Sequence, residues 1–361
     1  MSTAGLYIHV PFCEGKCPYC DFYSLRGNAA LYDAYTAAVL RAIEHSPYDF
    51  SAKTIYFGGG TPTLLGAERL CAILSAAKAK FGGEQLEITL EANPCSVDEA
   101  MLIRLRKGGF DRISFGVQSL DDTTLKLLGR KHSASQAISA IELAAKAGFR
   151  HISADLMLAV PNQTISEIAR SIETLSTLPI DHISAYMLKI EPKTAFFGRF
   201  SEPDEELYAD CYQTAINACK AHGFSQYEIS NFAKSEDTQS KHNLIYWRCE
   251  NYLGIGPAAH SFMNGERFYF ERDINAFINA ENCWSLAVND GSGGDEEERL
   301  MLGLRLSEGV LLSSFSAPFA EQVKKRAQPL IKANLMGEKD NRLFITENGF
   351  LVSNSIIASL I

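Results

Sequence analysis

Several things are missing from this 361-residue chain, and each absence removes a class of protein. No uninterrupted apolar run approaches the roughly 20 residues that a membrane-spanning helix needs. No excess of basic residues is present. The formal net charge is −9, which argues against general nucleic-acid binding and gives no drive toward anionic lipid. No second C-x2-C pair accompanies the cysteines near the N-terminus, as a zinc site would usually require. No leader-like segment precedes the strand-like Gly5-Leu-Tyr-Ile-His-Val-Pro11. A disulfide framework belongs to small chains in oxidising compartments, so disulfides are not expected among the nine cysteines, and the expected location is the cytoplasm. A hydrophobic content of 46% with 21% charged residues describes an ordinary globular protein with a large core.

What is present is concentrated in the run His9-Val-Pro-Phe-Cys13-Glu-Gly-Lys-Cys17-Pro-Tyr-Cys20. Its spacing is C-x3-C-x2-C, with no fourth cysteine close behind. A cubane [4Fe–4S] cluster normally takes four thiolates, so Cys13, Cys17 and Cys20 would leave one iron open to a small molecule. The other cysteines, Cys71, Cys95, Cys211, Cys219, Cys249 and Cys283, are scattered, and most are expected to be small buried apolar residues.

The first 190 residues alternate strand and helix signals. Strands are predicted at Leu6–Val10, Thr54–Phe57, Leu86–Glu91, Arg112–Val117, Ile152–Val160 and Ile183–Ile190. Helical periodicity covers Ala30–Ile43, Ala67–Lys80 and Ile165–Leu178, and Ser133 reads as the N-cap of a helix ending before Gly148. Six such units imply an α/β protein whose parallel sheet curls into a partial (β/α)6 barrel, short of the eight units of a complete one. A long helix is predicted over Pro203–Gly223. An aromatic and glycine-rich stretch follows from Phe224 to Phe270, then a linker or turn at Gly291–Gly294. Helices near Arg299–Leu306 and Glu321–Asn334, and a hairpin turning at Asn348-Gly349, read as a small C-terminal α+β unit resembling a winged helix. Expected domains are therefore 1–200, 201–290 and 291–361.

Ligands of an α/β barrel sit at the C-terminal ends of its strands. There the sequence places the cysteine loop, Gly58-Gly59-Gly60-Thr61-Pro62, Glu91, Gln118 and Asp155. The cysteine spacing matches the signature of radical S-adenosylmethionine (SAM) proteins. The chain further resembles the oxygen-independent coproporphyrinogen III oxidase family of that class. The resemblance is carried by Tyr7-Ile-His-Val-Pro-Phe-Cys13, Tyr56-Phe-Gly-Gly-Gly-Thr-Pro62, Glu91-Ala-Asn-Pro94, Ser114-Phe-Gly-Val-Gln118, Gly129-Arg130 and Asp155, in the family's order.

The resemblance implies that SAM chelates the open iron through its amino and carboxylate groups, and that an electron from the cluster cleaves it to a 5′-deoxyadenosyl radical. It implies that Tyr7, Phe22, Gly59, Gly60 and Thr61 line the SAM site. Glu91 and Arg130 would hold methionyl or ribose groups, and Gln118 and Asp155 would complete the pocket. One departure is a Leu-Met-Leu-Ala-Val-Pro run after Asp155 where the family usually has Gly-Leu-Pro.

A second departure concerns the branch of the family. True oxidases place a further cysteine at the position of Phe22. In addition, His242-Asn-Leu-Ile-Tyr246-Trp247 resembles the H-N-x-x-Y-W motif of a heme-chaperone branch, whose histidine is associated with heme. A neutral imidazole is a standard axial ligand of heme iron. Tyr246 and Trp247 would flank the macrocycle, with Cys249 as an alternative ligand. The expectation is a chaperone that delivers heme to an acceptor hemoprotein, respiratory enzymes among the candidates. SAM and cluster would gate transfer or homodimerisation rather than drive turnover. The alternative is oxidative decarboxylation of coproporphyrinogen III in porphyrin biosynthesis. Radical modification of another substrate is a third reading.

Overall fold

The computed structural model describes residues 2–83, 86–201 and 203–361. Strands β1 (Thr3–Val10), β2 (Ser51–Gly59), β3 (Glu87–Ala92), β4 (Arg112–Gln118), β5 (His151–Leu158) and β6 (His182–Met187) lie side by side in that order, all parallel. Helices Ala29–Glu44, Ala67–Phe81, Glu99–Gly108, Ala134–Lys146 and Ile165–Ser176 connect them. Local chemistry fixes where these helices begin. Asn28 caps the first through Leu31 N, and Ser133–Gln136 and Thr164–Glu167 form capping boxes.

Side chains alternate along each strand, and the alternation decides what the barrel holds. Ile55, Phe57, Ile88, Leu90, Ile113, Phe115, Ile152 and Ile183 are buried in the core. The alternate positions carry Thr54, Tyr56, Glu87, Thr89, Glu91, Arg112, Ser114, Ser153, Asp155, His182 and Ser184. The side opposite the helices is therefore polar. Its deepest ion pair, Arg112 to Glu87 at 3.1 Å, is almost completely buried, and the Arg112 guanidinium also donates to the carbonyls of Thr238 and Gln239. Removing one partner of such a pair is costly because it strands the other charge.

The sheet does not close. Beyond β6 it continues through β8 (Asn231–Ala233) to β7 (Ser225–Gln226). Beyond β1 it continues through β9 (Tyr252–Ile255), β10 (His260–Met263), β11 (Glu266–Phe270) and β12 (Ala287–Ser292). The result is the expected open-sided partial barrel, with its sheet widened by strands from the aromatic and glycine-rich stretch. Gly291 and Ser292, expected in a linker, end β12 instead.

The C-terminal unit is α+β, as expected: β13 (Val310–Leu311), β15 (Arg342–Ile345) and β14 (Met336–Lys339) form a sheet accompanied by helices Ala317–Lys332 and Ser353–Leu360. Its hairpin turns one step earlier than predicted. Asp340 and Asn341 adopt φ of 50° and 61°, the left-handed geometry of a tight hairpin turn. Asn348-Gly349 lies in the short helix Glu347–Phe350, capped by Thr346. Gly349 is needed there for space, because a Cβ would come within 2.1 Å of the Leu335 carbonyl.

Candidate active site at the open barrel mouth

The loop after β1 carries the three cysteines and is tied back to the barrel. Leu25 N donates to Pro11 O, Cys13 N to Leu25 O, and Thr61 N to Phe12 O. Gly60 lets the β2 loop lie against this segment, since a Cβ there would meet the Phe12 carbonyl at 2.5 Å. A cleft of about 810 Å³ opens at this end of the strands. Cys13, Cys17, Cys20, Phe22, Gly59, Gly60, Thr61, Glu91, Gln118, Arg130 and Asp155 all line it. Residues more than a hundred positions apart in the chain thus meet as the sequence implied.

Polar contacts order the cleft. The Cys13 thiol lies 3.7 Å from the Thr61 hydroxyl, which accepts from Asn93 Nδ2 at 2.8 Å. Arg130 donates to the Asn93 side chain, to Gly116 O at 2.7 Å and toward the Cys17 sulfur at 3.8 Å. Glu91 accepts from the Tyr56 hydroxyl at 2.7 Å and from Gly59 N at 3.1 Å. Asp155 accepts from Ser114 at 2.9 Å. Burial pushes the Glu91 carboxyl up to about 7, the Tyr56 hydrogen bond opposing it and the Asp155 charge adding to it. Burial likewise raises Asp155 to about 6, against hydrogen bonds from Ser184 and Ser114.

The donor set fits an open-iron cluster with SAM. Among the described residues no trio of histidine, cysteine or acidic side chains converges on a single-ion site. The three thiols, free and partly exposed, suit separate irons of a cluster instead. Five buried polar atoms of cleft-lining side chains, Thr89 Oγ1, Arg112 Nη1, Gln118 Oε1, Arg130 Nε and His132 Nδ1, have no partner within the protein. Gln118 also sits at φ 66°, a strained backbone for a non-glycine residue. Unsatisfied, strained groups facing a cleft are what a polar ligand would complete.

Other expected site residues lie elsewhere. Tyr7 does not line the cleft. It is held beneath it by a 3.0 Å contact between its hydroxyl and His9 Nδ1, and Tyr56 takes the lining position. His242, expected as a heme ligand, is buried. Its Nδ1 meets the Thr54 hydroxyl at 2.6 Å and its Nε2 the Tyr246 hydroxyl at 2.8 Å, so neither ring nitrogen is free for iron. The physical reason lies in helix Lys241–Trp247, which packs against β1 and β2 and turns the motif's histidine inward. Tyr246 is half-buried beside it, while Trp247 packs by Tyr227 and Leu306 under the Arg305 guanidinium. Cys249 is partly exposed, and burial raises its thiol. Sequence reasoning missed Asn93, Ser184, Tyr186 and Cys95, all in the cleft lining. Tyr186 is 41% exposed, and that area faces the cleft. The two-residue alternation of β6 was the signal that could have found Ser184 and Tyr186.

A partial barrel whose mouth gathers three cysteines, a glycine loop and buried carboxylates defines a radical SAM protein, with a [4Fe–4S] cluster and SAM as its cofactors. The Radical SAM superfamily profile matches residues 7–175, and the HemN C-terminal domain profile matches residues 296–352. The chain is 34% identical to "Heme chaperone HemW" of Bacillus subtilis (strain 168), covering 98% of both chains. It is 32% identical to the protein of that name from Lactococcus lactis subsp. lactis (strain IL1403), covering 97% of this chain and 95% of the other. The coproporphyrinogen III oxidase HemN from Escherichia coli shares the fold, with a TM-score of 0.83 at 20% identity over 99% of this chain and 90% of that one. The chain belongs to the HemW family of radical SAM proteins.

Proposed function

We propose that this chain is a cytoplasmic heme chaperone, binding heme on a radical SAM scaffold and passing it to an acceptor hemoprotein. The observation that carries the reading is the end-to-end likeness to proteins named heme chaperone HemW, over the cleft as well as the C-terminal unit. Respiratory hemoproteins are the acceptors we favour, and a homodimer is the form in which SAM and cluster would gate transfer. The organisation we propose has a barrel over 1–200, an extension over 201–290 and a C-terminal domain over 291–361.

Cys13, Cys17 and Cys20 would hold three irons of the cluster, leaving the fourth to SAM. Arg130, whose Nε has no partner within the protein, would donate to the SAM carboxylate as a charged hydrogen bond. Glu91 and Asp155 would accept from the amino N–H and ribose hydroxyl groups, and Gln118 would complete the pocket. Gly59, Gly60 and Thr61 would present backbone and hydroxyl at close range. When bound, the cluster supplies an electron that can cleave SAM. No catalytic residue is assigned, and Phe22, 68% exposed beside the cysteines, stands where an oxidase would carry a further thiol.

Anaerobic hemin titration of cluster-loaded protein, followed by the Soret band, tests this reading. Saturable binding, then transfer to an apo-hemoprotein, is the expected result. Conversion of coproporphyrinogen propionates to vinyl groups with SAM and a reductant would overturn it in favour of the oxidase.

A further inference from the structure

His132 lies in the wall of the SAM cleft, 4% exposed, and uses only one of its two ring nitrogens. Its Nε2 is 3.0 Å from the Val117 carbonyl. A carbonyl oxygen only accepts, so Nε2 carries the proton of the neutral ring and Nδ1 keeps a lone pair. Burial, then the Arg130 charge, lowers the ring to about 4, against the Val117 carbonyl and Asp122, so the ring is neutral at pH 7. Nδ1 has no partner within the protein. A buried acceptor left without a donor is costly, which points to a donor supplied from outside the chain.

The carbonyl that holds His132 also shapes the end of β4. Ser119 N donates to Val117 O at 2.8 Å, and Gln118 between them has φ 66°, the rare and strained form of γ-turn. Strain of this kind persists only where the surroundings enforce it. Val117 O accepts from both Ser119 N and His132 Nε2, so His132 braces the turn that presents Gln118. Gln118 Oε1 is a second buried acceptor there without a partner. A single metal ion does not account for the pair, because no trio of histidine, cysteine or acidic side chains converges among the described residues. SAM does supply donors. With its amino group held at the open iron and at Glu91, the two ribose hydroxyls and the adenine amino group remain, more than Asp155 can satisfy by itself.

We infer that His132 is a further SAM-binding residue, whose Nδ1 accepts a hydrogen bond from the nucleoside part of SAM beside the Gln118 amide oxygen. One ring then has two tasks: Nε2–H fixes the strained turn, and Nδ1 meets the ligand. The inference rests on the placing of SAM in this cleft and does not depend on the heme-chaperone reading.

The test is anaerobic isothermal titration of the cluster-loaded full chain with SAM. His132→Gln puts an amide N–H where Nε2–H stood, which keeps the brace, and removes the Nδ1 lone pair. Its SAM affinity is expected to fall about 5- to 10-fold with the melting temperature unchanged. Three SAM analogues, 2′-deoxy, 3′-deoxy and N6,N6-dimethyl, each lack one nucleoside donor. One of them is expected to bind the wild type about as weakly as SAM binds His132→Gln, and to lose nothing further in the variant. That comparison decides even if the variant melts lower. Wild-type SAM affinity in His132→Gln, with Arg130→Ala weakened, overturns the inference and leaves the SAM site standing. Equal losses for all three analogues in wild type and variant overturn it as well, since they mark a structural effect alone. A changed cluster spectrum in SAM-free His132→Gln overturns it in favour of iron ligation by Nδ1. Absence of saturable SAM binding by the wild type overturns the inference and the SAM site together.

Discussion

The imidazole of His242 lies against the Tyr56 ring, with centroids 4.9 Å apart and planes 23° apart. Tyr56 in turn donates to Glu91 at 2.7 Å in the SAM cleft. Helix Lys241–Trp247, whose Asn243 also lines the cleft, is therefore linked to Glu91 through one aromatic ring. Its backbone is fixed as well, because His242 N donates to Glu87, the partner of Arg112. His242→Ala would leave the Thr54 and Tyr246 hydroxyls unpaired in a buried site, a cost of roughly 1–3 kcal/mol each. We expect it to lower thermal stability and SAM affinity together. Tyr56→Phe, which keeps the ring and removes the hydrogen bond, is expected to lower SAM affinity with little loss of stability. Isothermal titration with SAM beside a melting curve separates the two, and unchanged SAM affinity in both variants would remove the link.

Cluster and SAM sites share Arg130 but respond differently to substitution. Cys17→Ala is expected to abolish the visible absorbance of a four-iron cluster after anaerobic reconstitution. Arg130→Ala is expected to keep that absorbance and to weaken SAM binding about 10- to 100-fold, as loss of a charged hydrogen bond implies. A full cluster in Cys17→Ala, or wild-type SAM affinity in Arg130→Ala, would refute the respective assignment.

Glu91 makes the SAM site sensitive to pH. Burial raises its carboxyl to about 7, above the ordinary 4.5. The folded protein keeps this proton over a range where the unfolded chain releases it. The Glu91 contribution to stability therefore falls as pH rises from about 4.5 to 7 and is level above that. The sulfonium charge of SAM favours the carboxylate, so SAM affinity is expected to increase as pH passes upward through 7. Glu91→Gln should flatten that rise, and a wild-type pH profile in the variant would exclude Glu91 as its source.

In the C-terminal unit the sensitive position is Gly349. A methyl group there meets the Leu335 carbonyl at 2.1 Å, too close for side-chain adjustment to relieve. Gly349→Ala should destabilise the unit by about 1–3 kcal/mol, as overpacking does. Limited proteolysis should then cut earlier after β15 than in the wild type, and an unchanged digestion course would refute the packing argument.

Much of the barrel was legible because each strand is short, apolar on alternate residues and bounded by capping signals that act locally. The same locality explains one miss. Asn348-Gly349 has the composition of a hairpin turn, but Thr346 caps it into a helix, and Asp340-Asn341 supplies the turn because pairing of Met336 with Ile345 sets the register. The cysteine loop, the glycine loop and the chain of Glu91, Gln118, Arg130 and Asp155 could be read because barrel ligands fall at strand ends. Tyr7 and Tyr56 could not be told apart, since both sit on inward positions of neighbouring strands.

What the sequence determined by itself was the chemistry available: three thiols at fixed spacing, a glycine loop, and polar residues at strand ends, all set by short-range pattern. What the tertiary structure alone decided was which groups are free to use it. Packing of helix Lys241–Trp247 against β1 and β2 turned His242 inward onto Thr54 and Tyr246. The continuation of the sheet through β9 set Ile255, far from the cysteines in sequence, beside Ile8 of β1. A lone pair is available to a metal only if no nearer hydrogen bond occupies it, and that is settled by contacts between segments that the sequence keeps apart.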